Sequence, residues 1–259
     1  RSYTSLIRKK INKQLGGKLR AFVSGGAALN PEIGDFFIGL GVKILQGYGQ
    51  TEASPLISAN RPEKIRIETV GPAVKGVEAK LTEEGELIVK GDCVMKGYWK
   101  DEKATSETII DGWLHTGDIA TIAEDGFITI TGRKKELIVN SGGDNIAPAR
   151  PEAALTFQET IFQSMVIGDR RPYLVAVIVP EFEKTKSLGD KEINEIISSE
   201  VKKANEGLSS IEKIRKFIIA KEPFSTENGL LTPTMKVKRH KVFEIYGETL
   251  DDLYGSKTH

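Results

Sequence analysis

Leu19-Arg20-Ala21-Phe22-Val23-Ser24-Gly25-Gly26-Ala27-Ala28-Leu29 puts a short apolar run directly before a glycine turn, and Val42-Lys43-Ile44-Leu45-Gln46-Gly47-Tyr48-Gly49-Gln50-Thr51-Glu52 repeats the pattern. Between the two, residues 31–40 carry Ile33, Phe36, Phe37 and Leu40 at the spacing of one helical face. Strand, helix, strand, with glycines at the strand ends, predicts a parallel α/β layer whose loops face a ligand crevice.

Working outward, residues 5–14 read as a basic helix that stops at Gly16-Gly17. The chain opens inside that helix without an initiator methionine, and Arg1-Ser2-Tyr3 is no signal peptide, so a fragment of a longer protein is expected. Downstream the texture changes. Residues 77–81, 86–90, 119–123 and 127–131 are short alternating runs punctuated by glycine, which predicts a small antiparallel sheet or barrel. Beyond Gly142-Gly143 helix and strand alternate again. Residues 175–179 form a compact β-branched run, and residues 191–205 place Ile193, Ile196, Ile197, Val201 and Ala204 on one face of a helix. The expected fold class is therefore α/β plus α+β. Residues 1–134 are part of a large domain, with an α/β segment at 1–63 and a β-rich segment at 64–134. Residues 135–259 form a small α+β domain.

Composition narrows the function classes. The 259 residues hold 37 basic and 36 acidic side chains, a net charge of +1, which gives no reason to expect nucleic acid or an anionic membrane as partner. A hydrophobic fraction of 39% and ten prolines exclude collagen and long disorder. The single cysteine, Cys93, allows neither an internal disulfide nor a zinc site, so it reads as an inert thiol in a reducing cytoplasm. His115, His240 and His259 are scattered rather than clustered, and Trp99 and Trp113 are expected to be packing residues. No apolar run approaches the roughly 20 residues that span a bilayer. Peripheral association with a membrane stays open.

The chemistry concentrates in a few glycine-rich segments. In Gly47-Tyr48-Gly49-Gln50-Thr51-Glu52 the glycines let backbone approach a ligand, while Thr51 and Glu52 offer a hydroxyl and a carboxylate, hard oxygens suited to a magnesium-bound phosphate. By itself the hexamer is equally a glycine turn with a polar helix cap. Three further segments follow in order: Gly112-Trp113-Leu114-His115-Thr116-Gly117-Asp118, then Gly126-Phe127 through Gly132-Arg133-Lys134-Lys135, then Ser141-Gly142-Gly143-Asp144-Asn145-Ile146.

Together with Ser24-Gly25-Gly26-Ala27-Ala28-Leu29 and Leu231-Thr232-Pro233-Thr234-Met235-Lys236, these segments resemble the carboxyl-terminal half of an acyl-CoA synthetase of the acyl-adenylate-forming superfamily, most closely its long-chain fatty acid branch. The resemblance runs from about Phe22 to about Arg239. It implies a ligase that makes an acyl-AMP from a fatty acid and ATP and passes the acyl group to CoA or, alternatively, to acyl-carrier protein. It implies Mg2+ as well. A noncatalytic nucleotide-binding module on the same scaffold is the alternative of a different class.

Roles carried over by this resemblance are specific to residues. Gly25, Gly26 and Ala27 form the wall for adenine, and Tyr48, between Gly47 and Gly49, stacks on the other side of the ring. Thr51 contacts the α-phosphate and Glu52 holds magnesium. Asp118 accepts the ribose hydroxyls, and Arg133 reaches the ribose or phosphate region. Lys135 is the hinge on which a small domain turns, and Gly142 and Gly143 line a passage for the pantetheine arm. Lys236 is the adenylation lysine. Many relatives place glycine before that lysine; here Met235 stands there, which keeps Lys238 as an alternative. Without the resemblance each segment has an ordinary reading: a turn, a core tyrosine, a hairpin, a solvated basic stretch. The family's Ser/Thr/Gly-rich phosphate loop ending in Pro-Lys-Gly has no counterpart upstream of Gly25. Weak nucleotide affinity and no complete adenylation by these residues alone are therefore expected.

Overall fold

The structure is a computed structural model that describes residues 2–27 and 29–255. Ala28 in the first glycine turn, Arg1 and His259 lie outside the described residues. The chain divides into two compact units, Arg1–Lys135 and Glu136–His259.

In the first unit, α1 (Ser2–Gln14) precedes β1 (Phe22–Ser24), α2 (Pro31–Gly39), β2 (Ile44–Gly49) and β3 (Leu56–Ala59). Asn30 starts α2 by accepting the Glu32 N–H at 2.8 Å, and Pro31 fits the first helical turn, where its missing N–H costs nothing. β1 and β2 are parallel, in register Phe22↔Ile44 to Ser24↔Gln46. The layer is not purely parallel as expected, because β3 runs antiparallel to β2 with Tyr48 opposite Ser58. A 3-10 turn over Thr51–Ala53 and a left-handed Ser54 (φ 50°) reverse the chain within a few residues, whereas a parallel partner needs a crossover of roughly a dozen or more. Gly47-Tyr48-Gly49, which reads as a turn in the sequence, belongs to β2 itself.

β4 (Val77–Leu81), β5 (Glu86–Gly91), α3 (Glu102–Thr108), β6 (Ile109–Ile110), β7 (Trp113–Ile122) and β8 (Ile128–Arg133) follow. These five strands form one antiparallel sheet, ordered β4-β5-β7-β6 with β8 also on β7. The run expected at residues 119–123 is the far end of the longer β7, which takes in the whole Trp113 to Asp118 segment. Leu87, Val89, Leu114, Ala120 and Ile128 from this sheet share a core with Ala53 and Ile57. Each fully buried Leu or Ile contributes about 1.5–3 kcal/mol. That packing holds the carboxyl end of β2 against β7 and β8. Trp99 departs from its expected packing role: it is 88% exposed, while Trp113 is half-buried with the Lys80 ammonium 4.0 Å from its ring. Phe36, Ile33 and Val23, apolar positions of α2 and β1, are also exposed.

The second unit contains β9 (Ile138–Val139), β10 (Asn145–Ile146), α4 (Ala149–Thr156), β11 (Ile161–Ile167), β12 (Leu174–Pro180), α5 (Phe182–Thr185), α6 (Asp190–Glu206), β13 (Ile214–Ile219) and α7 (Arg239–Asp252). β12 is the central strand, antiparallel to β11 and parallel to β13 through the α6 crossover. Leu174, Ala176 and Ile178 face one core with Leu155, Ile197 and Val201, while Val175, Val177 and Val179 face another with Phe224, Val242 and Leu250. Cover on both faces explains why β12 is an unbroken apolar run rather than an alternating one.

Candidate functional site

The carboxyl end of β2 and the β7–β8 pair bring three of the singled-out residues into direct contact. The Tyr48 hydroxyl donates to Asp118 Oδ2 at 2.5 Å, and Arg133 Nε lies 3.2 Å from Asp118 Oδ1. Register produces the second contact, since Asp118 on β7 stands opposite Arg133 on β8. Asp118 is only 4% exposed, a position a carboxylate keeps only with partners. Its own N–H donates to Thr116 Oγ1 at 3.1 Å, and the Thr116 hydroxyl in turn donates to the Leu87 carbonyl at 2.6 Å. Burial, and then the hydrogen bond to Asp118, push the Tyr48 phenol well above the usual tyrosine range, so it remains a proton donor.

Gly25 of the first turn lies beside the carboxyl end of β2, next to the residue before Tyr48. A Cβ added to Gly25 would sit 3.3 Å from the Gly47 carbonyl oxygen, and one on Gly49 would fall 1.7 Å from the Pro55 carbonyl oxygen. Gly49 therefore cannot carry a side chain without moving backbone. Gly26 (φ 85°) and the exposed Ala27 continue the turn. Thr51 is exposed, and Glu52 accepts a hydrogen bond from the Tyr98 hydroxyl at 2.9 Å, while its backbone carbonyl accepts from the Met95 N–H at 2.8 Å. Glu52 thus belongs to a second small cluster with Tyr98. A Thr51 hydroxyl and a Glu52 carboxylate fit the hard-oxygen chemistry of Mg2+. Among the described residues no group of three or more His, Cys, Asp or Glu is placed to hold a metal ion.

Glu86 has no role in the sequence reading, yet it anchors the Asp118 segment from below. It is 5% exposed and accepts the Gly117 N–H at 3.0 Å, His115 Nδ1 at 3.3 Å and Lys134 Nζ at 3.2 Å. Burial raises its pKa, but these three donors outweigh it and hold the carboxyl below the ordinary range. An acid directly after the Glu84-Gly85 turn and at the head of the apolar run Leu87-Ile88-Val89 is the signal that could have found it. Tyr98 also has no role in the sequence reading, because its contact with Glu52 crosses between elements distant in sequence, and the same holds for the Thr116 bond to Leu87.

The remaining candidates belong to their own surroundings. Lys135 lies in the 3-10 turn Lys134–Glu136, where the two units meet in the chain. Gly142 and Gly143 occupy the turn of the β9–β10 hairpin, tied by Asn140 Oδ1 accepting from the N–H groups of Gly142 and Asp144, each at 2.9 Å. In the second unit Thr232 and Lys236 close a tight turn: the Thr232 N–H donates to the Lys236 carbonyl at 2.8 Å, and the Lys236 N–H donates to Thr232 Oγ1 at 3.0 Å. Met235 takes the left-handed conformation (φ 62°) there, the geometry glycine adopts without cost. Lys236 is exposed at this turn, whereas Lys238 is half-buried and its N–H is bound to the Leu230 carbonyl. Arg239, at the start of α7, donates to Glu152 Oε1 at 2.6 Å and to the Val166 carbonyl.

Residues 3–99 match the AMP-binding enzyme family, and residues 135–258 match the AMP-binding enzyme C-terminal domain. The chain belongs to the AMP-binding, acyl-adenylate-forming superfamily. It is 41% identical to the long-chain-fatty-acid–CoA ligase FadD15 of Mycobacterium tuberculosis, over 98% of this chain and 45% of that protein. It is 34% identical to long-chain-fatty-acid–CoA ligase 5 of Rattus norvegicus, over 98% of this chain and 42% of that one. The chain thus spans less than half the length of these curated relatives. Among solved structures it resembles the A-PCP didomain of carboxylic acid reductase from Segniliparus rugosus in complex with AMP, with a TM-score of 0.79 and 31% identity over 97% of this chain and 37% of that one. The mixed α/β fold with a separate carboxyl-terminal domain is the fold of adenylating enzymes. Among the described residues no helix is long and apolar enough to cross a membrane.

Proposed function

We propose that this chain supplies the ribose-binding part of the nucleotide site and the carboxyl-terminal domain of an ATP-dependent fatty acid:CoA ligase, which forms acyl-AMP and then the acyl thioester. The observation that carries the reading is the buried Asp118 carboxylate held by Tyr48 and Arg133 beside the Gly25 turn, an arrangement with the right donors and acceptors for a nucleoside. The fatty acid specificity draws on the relatives named as long-chain ligases.

The chemical problem is the attack of a carboxylate on an anionic α-phosphate. Neutralisation of charge and alignment of the two anions supply most of the acceleration in such a step. Thr51 hydrogen-bonds the α-phosphate, and Glu52 provides the carboxylate for Mg2+, whose contribution is to offset phosphate charge. Tyr48 covers the adenine against the wall of Gly25, Gly26 and Ala27, while Asp118 holds the ribose and Arg133 adds a permanent cation. Lys236 neutralises charge developing between acyl carboxylate and α-phosphate. Its exposed position on a turn favours it over the half-buried Lys238. Lys135 serves as the hinge, and Gly142 and Gly143 leave room for the thiol arm of CoA. The similarity to the A-PCP didomain of a carboxylic acid reductase keeps acyl-carrier protein as the second candidate acceptor.

Exposed Val23, Ile33 and Phe36 on β1 and α2 suit a layer completed by more polypeptide, which would also bring the phosphate loop. The test is acyl-dependent pyrophosphate release by the complete polypeptide, followed by thioester formation with CoA and with carrier protein. Loss of pyrophosphate release in Lys236→Ala and Glu52→Ala is expected. Unchanged activity in both variants would show a noncatalytic module instead, and robust turnover by residues 1–259 alone would refute the assignment of the phosphate loop to other residues.

A further inference from the structure

We infer that Tyr48 is a positioning residue for the ribose: through its hydroxyl it fixes the Asp118 carboxylate so that the two remaining acceptor sites match a cis-diol. The inference rests on the nucleotide reading proposed above and gives Tyr48 a function separable from ring stacking. A stacking platform needs only an aromatic face, and phenylalanine would provide one. Here the phenol is spent on a 2.5 Å hydrogen bond to Asp118 Oδ2, while Arg133 Nε approaches Oδ1 at 3.2 Å. An ionised carboxylate offers about four acceptor sites across its two oxygens. Among the described residues each oxygen has one protein partner, which leaves capacity for one more donor on each, and two neighbouring hydroxyls are what a ribose presents.

The rest of the surroundings removes the freedom of this carboxylate. Asp118 is buried, its N–H is tied to Thr116 Oγ1, and the Thr116 hydroxyl is tied to Leu87 on the adjoining strand. Tyr48 sits half-buried against the core shared by β3, β5, β7 and β8. Its raised pKa keeps the hydroxyl protonated at any physiological pH, so the hydrogen bond has one direction only, from phenol to carboxylate. Two strands distant in sequence thereby set one rotamer of Asp118 before a nucleotide arrives, and that preorganisation appears as affinity.

Calorimetric titration of the complete polypeptide with AMP and with 2′,3′-dideoxy-AMP tests this. In Tyr48→Phe the affinity for AMP is expected to fall on the order of tenfold while that for dideoxy-AMP stays within about twofold of wild type, because only AMP carries the hydroxyls that Asp118 would hold. Retained dideoxy-AMP binding also reports that the variant is folded. Adding Tyr48→Phe to Asp118→Asn should cost nothing further for AMP. An equal loss on both nucleotides, or full additivity in the double variant, overturns the positioning role and leaves the nucleotide site standing. Failure of the wild-type protein to bind AMP overturns the site and the inference together.

Discussion

Replacing Glu86 by glutamine keeps the side-chain shape and an acceptor for Gly117 but removes the charge that Lys134 and His115 face. Hydrogen bonds to charged groups contribute roughly 1.5–3 kcal/mol against about 0.5–1.5 kcal/mol for neutral ones. Lys134 is half exposed, so its share is screened to ~0.2–1 kcal/mol. The Gly117 and His115 contacts lie around a carboxylate that is 5% exposed and keep their strength. Together the loss should be about 2 kcal/mol at neutral pH. With a urea slope of about 1–3 kcal/mol per molar, the unfolding midpoint of the first unit should drop by about 1 M. Trp99 and Trp113 both lie in that unit, so tryptophan fluorescence follows its unfolding alone. The folded carboxyl has a lowered pKa, so its stabilisation is fully present above the unfolded value near ~4.3 and disappears as pH falls through the folded one. The difference between wild type and Glu86→Gln must therefore shrink between pH 7 and pH 3. An equal difference at both pH values would refute the role of the charge.

Gly49→Ala should destabilise the first unit by more than ~3 kcal/mol in the same urea titration, because the new Cβ would fall 1.7 Å from the Pro55 carbonyl oxygen; a change under ~1 kcal/mol would contradict the backbone packing. Met235→Gly should stabilise the second unit by roughly 0.5 kcal/mol, the left-handed cost of ~1–2 kcal/mol for a side chain less the ~0.5–1 kcal/mol entropy of glycine. Thermal melting followed by circular dichroism checks this, and a lowered midpoint counts against it. Glu152→Ala removes the partner of Arg239 and of the Val166 N–H and should cost about 3 kcal/mol, read as faster amide exchange at Val166. Unchanged protection there would show that the Glu152 carboxylate does not hold the Val166 N–H of β11.

Much of the architecture follows from local pattern. Asn30-Pro31 announces the start of α2, and the apolar face of residues 191–205 announces α6, because caps and periodicity act within a few residues. The unbroken run of β12 marks a strand covered on both faces. Periodicity fails where pairing is decided by distant partners. Gly47-Tyr48-Gly49 looks like a turn and becomes a strand, since β3 returns alongside it and satisfies its backbone groups. Trp99 looks like core and lies in water, and Phe36 on the expected buried face of α2 is exposed too. Hydrophobicity states what a side chain prefers, whereas burial depends on which other elements arrive to cover it.

The candidate site divides in the same way. The resemblance to the acyl-adenylate-forming family marked Tyr48, Asp118 and Arg133 as groups that would meet a nucleoside, whereas residue chemistry alone left each with an ordinary reading as a core tyrosine, a turn aspartate or a solvated cation. Only tertiary structure joined the Tyr48 hydroxyl to Asp118 across 70 residues and set Glu86 beneath the segment that carries it. A hydrogen bond requires donor and acceptor within about 3 Å. That distance is a property of strand register and sheet packing, which no short stretch of sequence contains.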